Sequence, residues 1–167
     1  MTESEKGTVF APDSTEQVVE AVAWAAAEGE PLEVVGRGSK RALGRPVQAG
    51  HGLDLARLDG ITLYEPEELV LSARAGTPLA TIEAALDEQR QMLAFEPPDL
   101  GPLLGGAAGA GSLGGVLACN LAGPRRVKAG AARVLFLGCV AAAGRGELFK
   151  SGGRVVQTVS GYDLSKL

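Results

Sequence analysis

Apolar residues recur with a helical period between Ser14 and Gly29. Val18 and Val22 lie on one face of this segment. Ser14 and Gln17 have the spacing of a capping box, in which a side-chain oxygen accepts a hydrogen bond from an unpaired amide of the first turn. Glycine commonly ends a helix. The pattern therefore predicts a helix that begins after Ser14 and stops at Gly29.

A second helical stripe follows Thr77 and Pro78, with Ile82 and Leu86 four residues apart and polar residues at 89–91 ending the pattern. Threonine is a favoured N-cap and proline a favoured first helical residue, so we assign these roles to Thr77 and Pro78. Short apolar or alternating runs predict strands over residues 32–35, 53–55, 61–64, 69–75 and 133–142. A turn at 143–146 makes the last strand one arm of a predicted hairpin.

Two glycine-rich turns carry the candidate chemistry. The first glycine turn, residues 36–40, directly follows the predicted strand at 32–35. The second glycine turn, residues 111–115, lies in an uncharged stretch that runs from residue 100 to residue 124. Glycine lets backbone amides approach a bound anion, and successive amides in a turn form a concave anion site. Two such turns suit a ligand with a diphosphate and an extended body, which indicates a dinucleotide.

Neither turn matches a familiar phosphate motif in full. Residues 109–114 fit GxGxxG, but a poor strand precedes them and no acidic residue between Asp99 and Glu147 is present to bind ribose hydroxyls. A nicotinamide-type Rossmann site is therefore disfavoured. The first glycine turn lacks the spacing of a Walker loop. A lone glycine turn is usually only a tight connection, but the neutral segment around the second one must be buried against something.

Composition narrows the class of partner. The 167-residue chain has a formal charge of −4, which disfavours nucleic acid because phosphate chains need a basic surface. Residues 103–122 are uncharged, but their six glycines weaken a helix, so we predict a buried loop against a cofactor and no transmembrane span. Cys119 and Cys139 fit neither a disulfide framework nor a metal motif, and we predict no metal site.

Eight short segments run along the chain in a recognisable order. They are VVGRGSK at 34–40, YEPEELV at 64–70, ARAGTPL at 73–79, MLAFEPP at 92–98, SLGGVLA at 112–118, GPRR at 123–126, KSGGRVV at 150–156 and GYDL at 161–164. Together they resemble the FAD-binding subunits of bacterial glycolate oxidases, within the vanillyl-alcohol oxidase/p-cresol methylhydroxylase flavoprotein superfamily. Val134 and Leu135 depart from this family, which usually carries Asp and a further polar residue there, and Cys119 stands where threonine is common.

The resemblance implies an α+β fold, a two-lobed FAD-binding domain of the p-cresol methylhydroxylase type. A small, mainly parallel sheet with helices would form the first lobe, residues 1–65, and a larger antiparallel sheet with flanking helices the second, residues 66–167. FAD would lie noncovalently between the lobes. The family's chains continue into a substrate-cap domain, so we expect the second lobe to be truncated and the cap domain to be absent here.

The same resemblance implies which residues contact FAD. The first glycine turn would hold the diphosphate through backbone amides, and residues 112–115 would make a second contact, to the diphosphate and the ribityl chain. Four residues, at 118–120 and 123, would pass near the flavin ring or the ribityl chain, and residues 161–163 would approach from the far side. The implied cofactor-binding residues are Gly36, Arg37, Gly38, Ser39, Lys40, Ser112, Leu113, Gly114, Gly115, Ala118, Cys119, Asn120, Gly123, Gly161, Tyr162 and Asp163. The catalytic residues stay unknown.

The function that the resemblance implies is that of an FAD-binding subunit of a 2-hydroxy-acid (glycolate) oxidoreductase. The chain alone would be inactive, with a second flavin subunit and an iron–sulfur subunit as partners. We expect a cytoplasmic protein that is peripheral at the inner membrane only through those partners. Two alternatives stay open: a fragment of a stand-alone FAD-dependent sugar or alcohol oxidase, and a non-enzymatic scaffold of small residues.

Overall fold

The computed structural model describes residues 7–153. Within them the chain forms a small parallel sheet, two antiparallel hairpins and a set of helices. The elements are β1 (Val9–Phe10), α1 (Thr15–Glu28), β2 (Leu32–Val35), β3 (His51–Asp54), β4 (Ile61–Glu65), β5 (Val70–Ala73), α2 (Leu79–Glu88), a 3-10 turn (Pro102–Leu104), α3 (Leu113–Cys119), α4 (Arg126–Ala129), α5 (Ala132–Leu135), β6 (Gly138–Ala142) and β7 (Leu148–Gly152).

The helix predicted between Ser14 and Gly29 is confirmed as α1. Ser14 Oγ accepts a hydrogen bond from the Gln17 amide (3.3 Å), and Gly29 adopts a φ of 69° as the C-cap. Gln17 Oε1 in turn accepts from the Asp13 amide (3.0 Å), so the cap reaches one residue further upstream than in a capping box. Local capping chemistry alone therefore determines both ends of this helix.

The parallel sheet has the strand order β1-β3-β2, and all its pairs are parallel. Leu53 at its centre is buried, and Trp24 of α1 packs against Phe10 and His51, with ring centroids 5.1 and 5.0 Å apart. His51 Nδ1 also accepts a hydrogen bond from the Thr8 amide (3.1 Å). The single histidine thus has a structural role, joining β3 to the segment that precedes β1.

Two hairpins supply the antiparallel strands. β4 pairs with β5 across the predicted lobe boundary at residue 65, which stays a prediction. β6 pairs with β7 around the turn at 143–146, so the predicted hairpin is confirmed. Gly146 has a φ of 77° there, and a Cβ at this position would lie 2.6 Å from Ala23 Cβ. The hairpin turn therefore lies directly against α1, at a distance that only glycine permits.

The predicted start of α2 is wrong. α2 begins at Leu79, with Pro78 rather than Thr77 in the capping position. Thr77 is fully buried instead, and its hydroxyl donates to the Arg74 carbonyl (2.7 Å) and accepts from the Gly60 amide (3.0 Å). The Thr77 hydroxyl therefore bonds Gly60, which is distant in the chain, instead of accepting a hydrogen bond from an amide in the first turn of α2, as a helix cap would.

The strand predicted over residues 133–142 is also shorter than expected. Residues 132–135 form the helical turn α5, and only 138–142 are extended as β6. Ala132 is buried beside Val116 and Phe95, and Asn120 Oδ1 accepts a hydrogen bond from the Arg133 amide (3.2 Å). A long-range side-chain contact thus turns a segment with a strand-like sequence into the start of a helix.

The uncharged stretch is broken into pieces rather than continuous. The 3-10 turn ends at Gly105, with a φ of 80°, and the Asp99 carboxylate accepts hydrogen bonds from the Gly101 and Gly109 amides (3.1 and 2.8 Å). Residues 113–119, predicted as a buried loop, form α3 instead. Among the described residues, none of the helices has the length and apolarity needed to cross a bilayer.

Candidate functional site at the two glycine turns

The two glycine turns meet at Ser112. A Cβ at Gly36 would lie 2.5 Å from Ser112 Oγ, and one at Gly115 would lie 3.1 Å from the same oxygen and 3.5 Å from Lys40 Nζ. Ser112 is buried and is the N-cap of α3. Glycine at position 36 is therefore needed for the approach of the two turns, because a side chain there would displace the Ser112 hydroxyl.

The first glycine turn presents free hydrogen-bond donors. Within residues 7–153, the backbone amides of residues 37–40 donate no hydrogen bond, and residues 38–40 are half-buried. Gly38 has a φ of 73°, the left-handed conformation that aims neighbouring amides into a common concavity. Lys40 Nζ contacts Ser39 Oγ at 3.5 Å, and in this part of the chain Lys40 forms no salt bridge. The turn thus combines unpaired amides with an uncompensated positive charge.

The second glycine turn uses its amides differently. The Leu113 amide donates to the Thr77 carbonyl (2.9 Å), and the Gly114 amide donates to the Ala75 carbonyl (2.8 Å). The Gly115 amide donates to Ser112 Oγ (3.4 Å). These hydrogen bonds fasten the start of α3 to the segment between β5 and α2. The amide contacts to a diphosphate predicted for this turn stay a prediction, and the three amides have protein acceptors in this structure.

Thr77 is a structural part of the site that sequence reasoning missed. Its carbonyl accepts from Leu113, and its hydroxyl is bonded to Gly60 and Arg74, so it holds the second glycine turn to the β4–β5 hairpin. Pro78 and Ser112 also form an isolated antiparallel bridge. The sequence shows only a threonine before a proline at this place, and that pattern fits a helix cap as well as it fits a buried tertiary contact.

Substituting Thr77 by Val should lower the free energy of unfolding by about 2 kcal/mol, because the isosteric side chain of this buried residue leaves the half-buried Gly60 amide without its acceptor. Chemical denaturation of the purified chain measures the loss. Thr62→Val is the matched control, since Thr62 is exposed and its hydroxyl donates to the Ser72 carbonyl (3.2 Å). Equal losses in the two variants would contradict the role given to Thr77.

The segment predicted near the flavin ring is partly occupied by structural contacts. Ala118 and Cys119 are exposed at the end of α3. Asn120 ends the helix with a φ of 45° while its side chain holds α5. The Gly123 amide donates to the Glu96 carbonyl (2.8 Å), and a Cβ at Gly123 would lie 2.7 Å from Glu96 Oε2. Cofactor contacts for these four residues stay predictions.

The remaining predicted site residues, Gly161, Tyr162 and Asp163, lie outside the described residues.

An open groove of about 560 Å³ lies away from the two glycine turns, between α2 and residues 91–97, with Arg125 on its wall. None of the predicted FAD residues lines that groove. Burial raises the pKa of the Cys139 thiol. The first glycine turn, whose amides at residues 37–40 donate no hydrogen bond within the described residues, is the better candidate site for an anionic ligand.

Comparisons with known proteins identify the family to which the chain belongs. The family described as "FAD binding domain" matches residues 7–152. The chain is 44% identical to the glycolate oxidase subunit GlcE of Escherichia coli K12, covering 93% of this chain and 42% of that protein. It is 31% identical to a D-2-hydroxyglutarate dehydrogenase of Xanthomonas citri pv. viticola, covering 93% of this chain and 32% of that protein.

The fold is similar to a solved structure of p-cresol methylhydroxylase, with a TM-score of 0.66 and 18% sequence identity, over 93% of this chain and 31% of that one. The predicted α+β fold class is thereby confirmed: a small parallel sheet with helices lies beside antiparallel strands. Among the described residues, those antiparallel strands form two separate hairpins. The chain spans less than half the length of each of these relatives.

Proposed function

This chain belongs to the FAD binding domain family and its cofactor is FAD, and from that premise we propose that it is the FAD-binding part of a 2-hydroxy-acid oxidoreductase, with glycolate as the first candidate substrate. FAD would be held noncovalently, with its diphosphate at the first glycine turn. The observation that carries the proposal is the group of unpaired amides at residues 37–40 beside the Lys40 ammonium.

The residues present fit a diphosphate on three grounds. The amides of residues 37–40 are donors without protein acceptors, and anions bind well to successive amides of a glycine-rich turn. Lys40 supplies a positive charge that no carboxylate of the described chain neutralises. Glycine at 36 and 115 places no side chain of its own against Ser112 Oγ, so this hydroxyl lies close to the backbone of both turns.

In such an enzyme the flavin, when bound, accepts the hydride that a 2-hydroxy acid loses on oxidation to the 2-oxo acid. The chain's own contribution is binding and orientation. The first glycine turn would hold the negative end of the cofactor, and Ser112 Oγ would add a hydrogen bond at the start of α3. The base that takes the hydroxyl proton and the cation that binds the substrate carboxylate are not assigned to this chain.

The substrate class rests on the relatives, since glycolate and D-2-hydroxyglutarate are both 2-hydroxy acids. Because the relative GlcE is a subunit of a glycolate oxidase, we propose that this chain acts together with other subunits, and that a second flavin subunit and an iron–sulfur subunit are its partners. A cytoplasmic location, peripheral at the inner membrane through those partners, belongs to the same proposal. Glycolate added to the FAD-loaded chain alone should leave its flavin absorbance unchanged.

The decisive test is the absorbance spectrum of the purified chain after incubation with FAD and removal of the excess. Flavin bands should stay with the folded protein and leave it on denaturation, which would show noncovalent binding. FMN, which lacks the diphosphate and the adenosine, should be retained at least about tenfold less well. A folded chain that retains no FAD would refute the binding function, and flavin that stays after denaturation would refute noncovalent attachment.

The variant Lys40→Gln locates the anion within the chain. Removal of the ammonium beside the first glycine turn should weaken FAD binding about tenfold and flatten its dependence on salt, because the lost contact is electrostatic. Lys128→Gln removes an equal charge from an exposed position of α4 and serves as the control. Equal affinities for the two variants would argue against a diphosphate at this turn.

A further inference from the structure

One side chain fastens the end of the first glycine turn to the strand that enters it. Arg41 Nε donates to Glu33 Oε1 (2.9 Å) and Arg41 Nη2 donates to Glu33 Oε2 (2.6 Å), which is a two-pronged ion pair. Glu33 lies in β2, just before the turn, and its backbone is in register with Gly52 of β3. The turn is therefore bridged from its exit back to its entry.

Arg41 contacts the turn in two further ways. Its amide donates to the Gly38 carbonyl (3.2 Å), and its side-chain stem lies over Gly38, with Cδ 3.6 Å from the position of a Cβ there. In the described part of the chain, this is the backbone hydrogen bond that closes the turn on itself, since the amides of 37–40 donate none. Arg41 thus contacts the turn through both its backbone amide and its side chain.

An unpaired loop that must present several amides to one anion loses conformational entropy on binding, and a contact that restrains the loop beforehand removes part of that loss. Two-pronged arginine–carboxylate pairs restrain geometry better than single contacts. We infer that Arg41 and Glu33 form a clasp that preorganises the first glycine turn for the diphosphate of FAD, and that Arg41 is a positioning residue rather than a phosphate ligand.

Charge supports this division of roles. The guanidinium is committed to the Glu33 carboxylate by both prongs, so its charge is compensated, whereas the Lys40 ammonium beside the same turn has no carboxylate partner in the described chain. The side chain of Arg41 is 62% exposed and that of Glu33 23%, so the pair adds little to global stability. Its effect should therefore be seen in ligand binding and not in the unfolding of the apo chain.

The inference rests on FAD binding at the first glycine turn and is tested by a double-mutant cycle with FAD titration of Glu33→Gln, Arg41→Gln and the double variant. Each single change should weaken FAD binding about fivefold, and the double variant should be no weaker than either, because one clasp is lost in all three. The thermal midpoints of the three apo proteins should stay close to that of the unmodified chain.

A direct phosphate contact from Arg41 predicts the opposite sign for Glu33→Gln, since a freed guanidinium would bind FAD more tightly. The exchange Glu33→Arg with Arg41→Glu separates the two cases again: a clasp recovers part of the affinity, whereas a phosphate ligand loses more. Single variants that match the unmodified chain would overturn the clasp. An unmodified chain that binds no FAD would instead overturn the proposed function, and the two failures are thus distinguished.

Discussion

Replacing Gly38 by Asp is expected to weaken FAD binding about 30-fold, equivalent to about 2 kcal/mol. Gly38 lies in the middle of the turn with unpaired amides, and the carboxylate would bring a negative charge to the place where the diphosphate is proposed to bind. Space is not the obstacle, because the atoms nearest to an added Cβ are Arg41 Cδ at 3.6 Å and Val35 Cγ1 at 3.8 Å. Titration of the apo chain with FAD measures the loss.

Gly38→Asn is the matched control for charge. Asparagine has nearly the same size, and both residues tolerate the positive φ of 73° better than other side chains. The Asn variant should therefore lose only a few-fold in affinity. Raising the ionic strength should narrow the difference between the two variants, because screening weakens the repulsion. Equal losses for Asp and Asn would mean that the backbone conformation matters there and that no anion lies close to residue 38.

Gly114→Val should destabilise the apo chain by about 3 kcal/mol, which lowers the thermal midpoint by about 10 °C in a protein of this size. A Cβ at Gly114 would lie 2.9 Å from both Ala75 Cβ and the Ala75 carbonyl oxygen. That carbonyl accepts the Gly114 amide hydrogen bond (2.8 Å), so relief of the clash separates α3 from the β5–α2 connection. Thermal unfolding without added FAD measures this effect.

Gly144→Val is the control, because an added Cβ at Gly144 meets no atom within 4 Å and the residue has no positive φ. Its thermal midpoint should stay near that of the unmodified chain. In Gly114→Val, FAD affinity should fall together with stability, since the loss of the second glycine turn's attachment removes Ser112 from its place beside Gly36. A Gly114→Val chain that keeps its thermal midpoint but loses FAD would contradict the packing role and indicate direct contact with the cofactor.

The sequence was sufficient to predict the elements whose formation depends on residues that are neighbours in the chain. Ser14 and Gly29 set the ends of α1, the apolar run at 32–35 gives β2, and the turn at 143–146 gives the β6–β7 hairpin. The set of short motifs predicted the fold class, and the family match over residues 7–152 confirms that prediction. Capping and tight turns involve groups within a few residues of one another, so the sequence alone specifies them.

Long-range hydrogen bonds decided the rest. Thr77 precedes a proline and a helical stripe, as a helix cap does, yet its hydroxyl accepts a hydrogen bond from the amide of Gly60, which is distant in the chain. Residues 133–135 begin a run that predicts a strand, yet they are helical: the Arg133 amide donates to Asn120 Oδ1, and the neighbouring Ala132 is buried beside Val116. At Thr77 the tertiary partners are stronger than the local preference, because a buried polar group without a partner costs more than a lost propensity.

The sequence by itself determined that two glycine turns exist and that a dinucleotide suits them. Only the tertiary structure decided that Ser112 lies against Gly36, that the donors of residues 37–40 are free while those of Leu113 and Gly114 are taken, and that Arg41 reaches back to Glu33. A glycine in the sequence shows that another part of the chain can approach the backbone closely there, but it does not identify which residue does so. Which amides remain for a ligand depends on which carbonyls the folded chain brings within reach.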